Sequence, residues 1–534
     1  MKSSSLKQNL AILVGLYGLS LLAAAGCPAG GGGDKQPQPP TASIDRPAAD
    51  VSTAQTASAD RAEDAGAPAH VEQAKPLVDP IELNGPIFVD WPQPTLALLI
   101  TGGQYGYIEP CGCSGIENQK GGLSRRHSLV KQLQGDGWPL AAVDVGSQVR
   151  RFGPQAEIQY AITAEALRKM NYSAVGFGPP DLRLSAGEII AAVAGDDPEK
   201  SIFISANASL LGLNPKLRIV KVGGKKIGIT SVLGAKHAAE VNNTEIEIVP
   251  AAQALREVMD QLAGCDIRVL LSQATREATI ELAQAFPDFD VVVTADGGDE
   301  PPNHAQPIEG TKARLIEIGH KSQFAVVLGW FDEADEPLRY QRVPLDSRFG
   351  DSPEMKELMT AYQEQLRERG WDGLSIRAKR HPRADEGGEA AGQFVGSAAC
   401  KECHSVEWDV WSQSKHAHAT ETLVKLDPPR QFDAECVRCH VTGWDVEQYV
   451  PFVGGYEGLD ATPHLAGNGC ENCHGPGAAH VAAENDGSQA EQVKYRLLMK
   501  QTKAAAKDRG CVTCHDGDNS LNFSFDKYWE EIEH

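Results

Sequence analysis

The sequence predicts a multidomain fold, an α/β layered sandwich followed by a mainly α-helical module. Three observations carry this. Short apolar strand-like runs alternate with amphipathic helical stretches between residues 92 and 345, strand signals nearly vanish from about residue 393, and four C-x-x-C-H segments recur beyond that point. At 534 residues the chain is too long for one core, so two or three domains are expected.

In the first region the strand-like runs are 96–100, 140–143, 202–205, 226–230, 268–271 and 290–294, with helical stretches such as 156–170 and 251–263 between them. Short buried strands separated by helices imply an α/β layered domain over 92–345. Within the connecting stretch 346–392, residues 353–370 read as one polar helix, and 380–392, containing Arg383-Ala384-Asp385-Glu386-Gly387-Gly388, as a linker. The final module spans 393–534.

The amino terminus, 1–27, reads as an export signal. Lys2 and Lys7 give a positive start, an apolar run extends from Leu10 to Leu22, and Ala24-Ala25-Gly26-Cys27 follows. Small residues before a lone Cys resemble the bacterial lipobox, in which Cys27 would become the lipidated first residue, although Ala stands where Leu is usual. The alternative is an ordinary signal peptide with an incidental Cys27. Residues 28–85, rich in Gly, Pro, Ala, Asp and Gln, have too little apolar surface to offset ordering and are expected to be a disordered tether. No second apolar run reaches the roughly 20 residues of a spanning helix, so the expected membrane association is through the lipid alone.

Lys plus Arg total 50 and Asp plus Glu 72, a net charge of −22. That balance argues against nucleic acid as a partner, because phosphate binding needs a basic face.

The four segments of the last module are Cys400-x-x-Cys403-His404, Cys436-x-x-Cys439-His440, Cys470-x-x-Cys473-His474 and Cys511-x-x-Cys514-His515, and they take up all eight cysteines of the module. Two thiols at this spacing add across the two vinyl groups of a haem, and the imidazole of the next residue then reaches the iron. Zinc accepts C-x-x-C pairs but does not require His after each second Cys, and disulfides would not repeat one motif four times. Four covalently bound c-type haems are therefore expected, with His404, His440, His474 and His515 as proximal ligands. Their propionates would add to the negative charge, which suits a redox partner with a basic docking face. Five other histidines, His416, His418, His464, His480 and His534, are available for the sixth iron positions. Bis-His iron suits electron transfer, whereas an open position admits a ligand.

The module resembles the cytochrome c-554 family of tetrahaem electron carriers. The resemblance lies in Phe394-Val395-Gly396-Ser397, Trp411-x-x-Ser414-x-His416-Ala417-x-Ala419, Cys439-His440-x-Thr442-Gly443, Cys470-Glu471-Asn472-Cys473-His474-Gly475-Pro476-Gly477-x-x-His480 and Phe523-x-Phe525-Asp526-x-Tyr528-Trp529-x-x-Ile532-x-His534. It implies that His416, His480 and His534 are the distal ligands and that one haem stays five-coordinate, leaving His418 and His464 as spare or tuning groups. Few large aliphatic residues stand in the module, so the porphyrins are expected to supply its apolar mass, and the module is not expected to fold without them.

Residues 92–345 are similar in order to the amino-terminal domain of the periplasmic 5′-nucleotidases, in the calcineurin-like metallophosphatase superfamily. The frame is Gly121-Gly122-Leu123-Ser124-Arg125-Arg126, Asp144-Val145-Gly146, Ser205-Ala206-Asn207 and Asp290-Val291-Val292-Val293-Thr294. The resemblance implies a two-metal site that clamps both oxygens of a phosphoester, yet nearly every ligand position departs from it. Gly102-Gly103-Gln104, Ser147, Gly178-Pro179-Pro180-Asp181, Ser272-Gln273 and Ala295-Asp296-Gly297-Gly298 stand where metal ligands belong. Only Asp144 matches, with Asp181 and Asp296 as carboxylates at equivalent places. A scaffold retained for binding is expected, with no catalytic residue.

Glu109-Pro110-Cys111-Gly112-Cys113-Ser114-Gly115 follows the first strand and faces the cleft at the strand ends. In an oxidising compartment a Cys111–Cys113 disulfide, or pairing of one of them with Cys265, is the default, and a soft-metal or redox role is the alternative. His127 and His320 are expected to be packing or surface residues. Two functions fit these residues. One is an exported, lipid-anchored tetrahaem cytochrome in electron transfer whose α/β domain docks a partner or a small anion. The other is an enzyme, either at an open haem acting on a small nitrogen or oxygen species, or as a residual phosphoester hydrolase.

Overall fold

The computed structural model describes residues 79–110, 119–194, 201–332, 336–520 and 523–534. The signal, residues 28–78 of the expected tether, Cys27, Cys111 and Cys113 lie outside these residues. The tether's last residues, expected to be disordered, instead form the short helix Pro80–Asn84, held by Asn84 on Asp346 at 2.9 Å and Arg348 on the Pro80 carbonyl at 3.0 Å. The first apolar run becomes the strand Leu96–Thr101, buried along its whole length. It is flanked in parallel by Leu140–Asp144, which in turn pairs in parallel with Ala174–Val175. On its other side run Phe324–Trp330 and then Leu338–Pro344, both antiparallel. A second sheet has the order Gln306–Pro307, Arg314–Glu317, Val291–Thr294, Ile267–Gln273, Lys225–Leu233, Leu217–Val222, with its four central strands parallel.

Strand side chains alternate between two faces, and here each face finds a different neighbour. Leu96, Leu98 and Ile100 from the first sheet meet Ile227, Ile229, Val269, Leu271 and Val293 from the second. Ala97 and Leu99 point the other way, into a cluster with helices Leu123–Gly135, Pro154–Lys169 and Pro353–Gly373. Val232, Leu270, Val292 and Leu315 cover the outer side of the second sheet with helices Ala251–Leu262 and Arg276–Ala285. The result is a four-layer α/β/β/α sandwich. Each fully buried Leu, Ile or Val contributes about 1.5–3 kcal/mol.

The expected runs at 96–100, 140–143, 226–230, 268–271 and 290–294 all lie on strands. The run at 202–205 does not. Its residues Phe203 and Ile204 are buried, but their neighbour Ala174–Val175 is only two residues long, so pairing is limited to an isolated Val175–Phe203 bridge. The stretch 380–392, expected to be a linker, instead forms two short helical turns, Arg383–Gly387 and Glu389–Gly392, that pack beside the helix Ala478–Asp486. Tyr495 Oη and Lys494 Nζ donate to the Gly387 carbonyl.

Pro353–Gly373 starts on Ser352, whose hydroxyl accepts from the Met355 amide, with Pro353 preset for the first turn. It breaks at Gly370, where φ is 56° and ψ −179°. That bend carries Trp371 onto Trp444 of the C-terminal module, with ring centroids 5.0 Å apart and Nε1 donating to the Glu457 carbonyl. The C-terminal module is mainly helical, with one two-residue hairpin at Trp444–Asp445 and Val450–Pro451. Its apolar cluster is small, made of Leu423, Ala434, Val437, Val441, Trp444, Tyr456 and Leu465. From residue 79 onward the described residues form one compact unit. Polar contacts join the module to the α/β sandwich: Arg430 Nε donates to Glu109 at 2.7 Å, Gln155 Nε2 to Asp433 at 2.7 Å, and Tyr107 Oη to Asp518 at 2.8 Å. Among the described residues no helix is long and apolar enough to cross a membrane.

Candidate functional site

Each C-x-x-C-H segment is wound into a helical turn, so that residues i, i+3 and i+4 share a side. The second lies in helix Ala434–His440, started by Asp433, whose carboxylate accepts from the Glu435 amide at 2.9 Å. The third is the helix Cys470–His474, stopped by Gly475 at a φ of 84°. The first and fourth are closed by the His404 amide on the Cys400 carbonyl at 2.9 Å and the His515 amide on the Cys511 carbonyl at 2.8 Å. Segments meet in pairs, the Cys400 thiol hydrogen-bonding that of Cys470 and the Cys514 thiol that of Cys439. Glu471, inside the third segment, is 2 % exposed, and its carboxylate accepts from the Val395, Gly396 and Gly477 amides at 3.0, 2.8 and 2.7 Å.

The structure pairs three segment histidines with three others. Ring centroids of His404 and His480 are 6.3 Å apart, those of His416 and His515 6.1 Å, and those of His474 and His534 5.7 Å. A metal bound to two imidazoles at about 2 Å from each nitrogen sets the ring centres about 6 Å apart, so these spacings fit a bis-imidazole iron. Proton placement fits as well. The Nδ1 of His474 lies 2.8 Å from the Met499 carbonyl, and that of His534 2.9 Å from the Ile532 carbonyl. A carbonyl only accepts, so Nδ1 carries the hydrogen and Nε2 keeps its lone pair for a metal. Burial pushes His416, His440, His474, His480 and His515 below the usual histidine range, toward the neutral, ligating form.

His440 is different. Its Nδ1 donates to the Ala419 carbonyl at 2.8 Å, and among the described residues no second imidazole ring is stacked with it. His418 is exposed and turned to Glu421 at 3.1 Å, and His464 sits beside Gly396; among the described residues neither ring is paired with a segment histidine.

The strand-end cleft of the α/β sandwich is filled by the chain itself. Asp144 is fully buried and accepts from Thr101 Oγ1 at 2.6 Å, Gln148 Nε2 at 2.7 Å and the Gly146 amide at 2.8 Å. Its counter-ion is Arg126, also fully buried, with Nη1 at 3.5 Å. Arg126 Nη2 donates to Gln104 Oε1 at 3.2 Å and to Ser322 Oγ. Asp181 accepts four backbone amides, from Gly178, Ser147, Gln148 and Val149 at 2.7–3.2 Å. Burial raises its pKa to about 7 against those amides. Asp296 accepts from the Arg276 amide at 2.9 Å, and Gln273 Nε2 donates to Ser147 Oγ at 3.1 Å. Among the described residues no group of three or more His, Cys, Asp or Glu side chains is placed to hold a metal ion. The two-metal site that the sequence resemblance implied does not fit here, because a guanidinium stands beside the one matching carboxylate.

Arg126 had no assigned role in the sequence, although it lies on the apolar stripe Leu123, Arg126, Leu129 or Val130, Leu133, where a charged residue needs a buried partner. His127 packs on Ser352 Oγ at 2.6 Å, and His320 stands 3.4 Å from Asp299 at the surface. Cys265 is a buried free thiol, and Cys111 and Cys113 lie outside the described residues.

The paired-histidine module has a known counterpart. It is similar to cytochrome c-554. Residues 399–475 match the family described as "Cytochrome c554 and c-prime". Cytochrome c-554 of Nitrosomonas europaea is 31 % identical over 140 residues, which covers 23 % of this chain and 57 % of that protein. The chain thus spans little more than half the length of this relative. For the α/β sandwich, the 5′-nucleotidase precursor of Thermus thermophilus is 17 % identical over 53 % of this chain and 61 % of that one, with a TM-score of 0.42. The calcineurin-like phosphoesterase YfkN of Bacillus subtilis is 14 % identical over 51 % of this chain and 98 % of that one, with a TM-score of 0.41.

Proposed function

We propose that the protein is an exported, lipid-anchored tetrahaem c-type cytochrome that carries electrons, with Cys27 as the lipidated residue, 28–85 as a tether and 393–534 as the haem module. The observation that carries this reading is the pairing of His404, His474 and His515 with His480, His534 and His416 at ring separations of 5.7–6.3 Å. Cysteine pairs at each segment would hold the porphyrins by thioether bonds, and bound haem supplies a one-electron couple. The chain's own residues orient the imidazoles through Met499, Ile532, Ala419 and Ser520, and burial favours the neutral form of His440, His474 and His515. Closeness of segments one and three, and of two and four, favours transfer from centre to centre. The small aliphatic cluster of the module supports folding that depends on the porphyrins.

The partner proposed is a redox protein with a basic face, complementary to a chain of net charge −22. The α/β sandwich serves as a docking or binding scaffold, since Arg126 stands where metal ions would polarise a phosphoester. One observation supports a second reading: among the described residues His440 faces no second imidazole, so its iron has a position for a small nitrogen or oxygen species. A redox-titrated absorption spectrum with carbon monoxide added tests both. Three low-spin centres that ignore the gas and one that binds it are expected. If no centre responds to the gas, the open-haem reading is removed, and spectra unchanged by reductant would remove electron transfer.

A further inference from the structure

A cavity of about 500 Å³ lies in the seam between the strand-end loops of the sandwich and the second and fourth C-x-x-C-H segments. Its volume is in the range of ligand sites, and domain junctions at strand carboxyl ends are where such sites form. Three guanidiniums line it, Arg150 and Arg151 from the loop after Leu140–Asp144 and Arg438 from inside the second segment. Two of them flank Tyr449, with Arg151 2.9 Å and Arg438 3.9 Å from its ring centroid. Tyr449 itself holds a φ of 60°, a left-handed conformation that persists only where its surroundings enforce it.

The acidic groups on the wall are engaged elsewhere or only partly opposed to these charges. Asp518 is taken by Lys321, by Tyr107 at 2.8 Å and by Arg150 at 3.4 Å. Asp516 accepts from the Asn519 side chain and from the amides of Asp518 and Asn519. Glu435 accepts from Gln159 at 3.4 Å and stands 3.6 Å from Arg151, beyond hydrogen-bond distance, while Glu447 is exposed. Arg151 Nε is buried with no hydrogen bond. Arg438, 7 % exposed, donates to the Glu435 and Val446 carbonyls at 3.3 and 2.6 Å, neither of which is charged. Burial, reinforced by Arg150 and Arg438, pushes Arg151 down to about 10 in spite of Glu435. A guanidinium fork matches the geometry of a carboxylate or phosphate better than any other side chain.

We propose that the seam is an oxyanion site in which Arg151 and Arg438, with Arg150 at its mouth, hold a carboxylate- or phosphate-type group beside Tyr449. This deepens the scaffold reading above and rests on it, giving the sandwich a ligand that touches two haem-attachment segments. The same chemistry has two sources, a propionate of one of the chain's own haems or a free inorganic anion. Calorimetric titration of the haem-loaded full chain with inorganic phosphate, beside a redox titration of the Arg151→Gln variant, separates them. A free-anion site binds phosphate saturably, and Arg151→Gln weakens binding about tenfold or more. A propionate site takes no phosphate, and Arg151→Gln shifts the midpoint of one haem and leaves the others in place. Arg150→Gln, at the exposed end, gives the same sign with a smaller effect and replaces Arg151→Gln if that variant fails to load haem. No phosphate binding together with unchanged midpoints in the loaded variant overturns the site and leaves the electron-carrier reading standing. Haems that do not titrate at all would instead overturn that reading.

Discussion

In the strand-end cleft of the sandwich the chain satisfies its own buried charges, whereas in the C-terminal module it arranges groups that suit something other than protein. Asp144 meets Arg126, Thr101 and Gln148, and both oxygens of Asp181 are taken by backbone amides. Three histidine pairs, by contrast, stand about one metal apart, with Nδ1 of His474 and His534 on carbonyls and that of His515 on a hydroxyl, and with cysteines gathered in neighbouring pairs. The difference lies between a site closed by its own side chains and one laid out around a space. A buried carboxylate needs a cation, and a single guanidinium reached from the adjacent helix provides it. A module short of aliphatic side chains needs apolar mass, which on the proposed reading porphyrin would provide.

The largest expected effect sharpens this contrast. Cys470→Ser combined with Cys473→Ser removes one haem from the intact mass and leaves the C-terminal module open to protease, while the sandwich fragment survives digestion. His534→Ala should keep all haems bound but turn one low-spin centre into a gas-binding one in the absorption spectrum. Breaking the other side of the comparison, Arg126→Met leaves Asp144 buried without a cation and should lower stability by about 3–5 kcal/mol in denaturant unfolding, with no haem lost. Thr101→Val removes one donor to Asp144 and should lower it by about 1–2 kcal/mol.

The smallest effect is one of pH. His381 is packed between Phe394 and Phe452, with centroids 5.8 and 4.4 Å away, and burial pushes it down to about 4. The unfolded chain therefore takes up its proton first, near pH 6.5. Its contribution to stability is complete above that value and is lost as pH falls toward 4. Because the ring is only half-buried, the loss is about 1–2 kcal/mol, read as a lower denaturant midpoint at pH 4 than at pH 7 that shrinks in His381→Gln.

Much of this was legible in the chain, for physical reasons that differ by element. Runs such as 96–100 and 268–271 are apolar at nearly every position because both of their faces are buried, which marks central strands. Strand Leu338–Pro344 lies at a sheet edge and alternates Arg339, Gln341 and Val343 with Leu338, Tyr340 and Arg342, a pattern too mixed to separate from a loop. The hairpin from Leu217–Val222 to Lys225–Leu233 turns on Gly223-Gly224, both at positive φ, a two-residue signal that the sequence did contain. C-x-x-C-H announces itself because its spacing is chemical. The resemblance to cytochrome c-554 pointed to His416, His480 and His534, and the structure sets all three opposite segment histidines. Arg126, Arg151 and Arg438 were hidden because a charge inside an apolar stripe or a C-x-x-C-H spacer has no meaning until its long-range neighbour is known.

The most direct test of the central claim is the intact mass of the chain after production in a host that attaches c-type haem. The account predicts the mature polypeptide plus four haems, a red protein that stains for haem after denaturation. A colourless product at the mass of the bare polypeptide would contradict it.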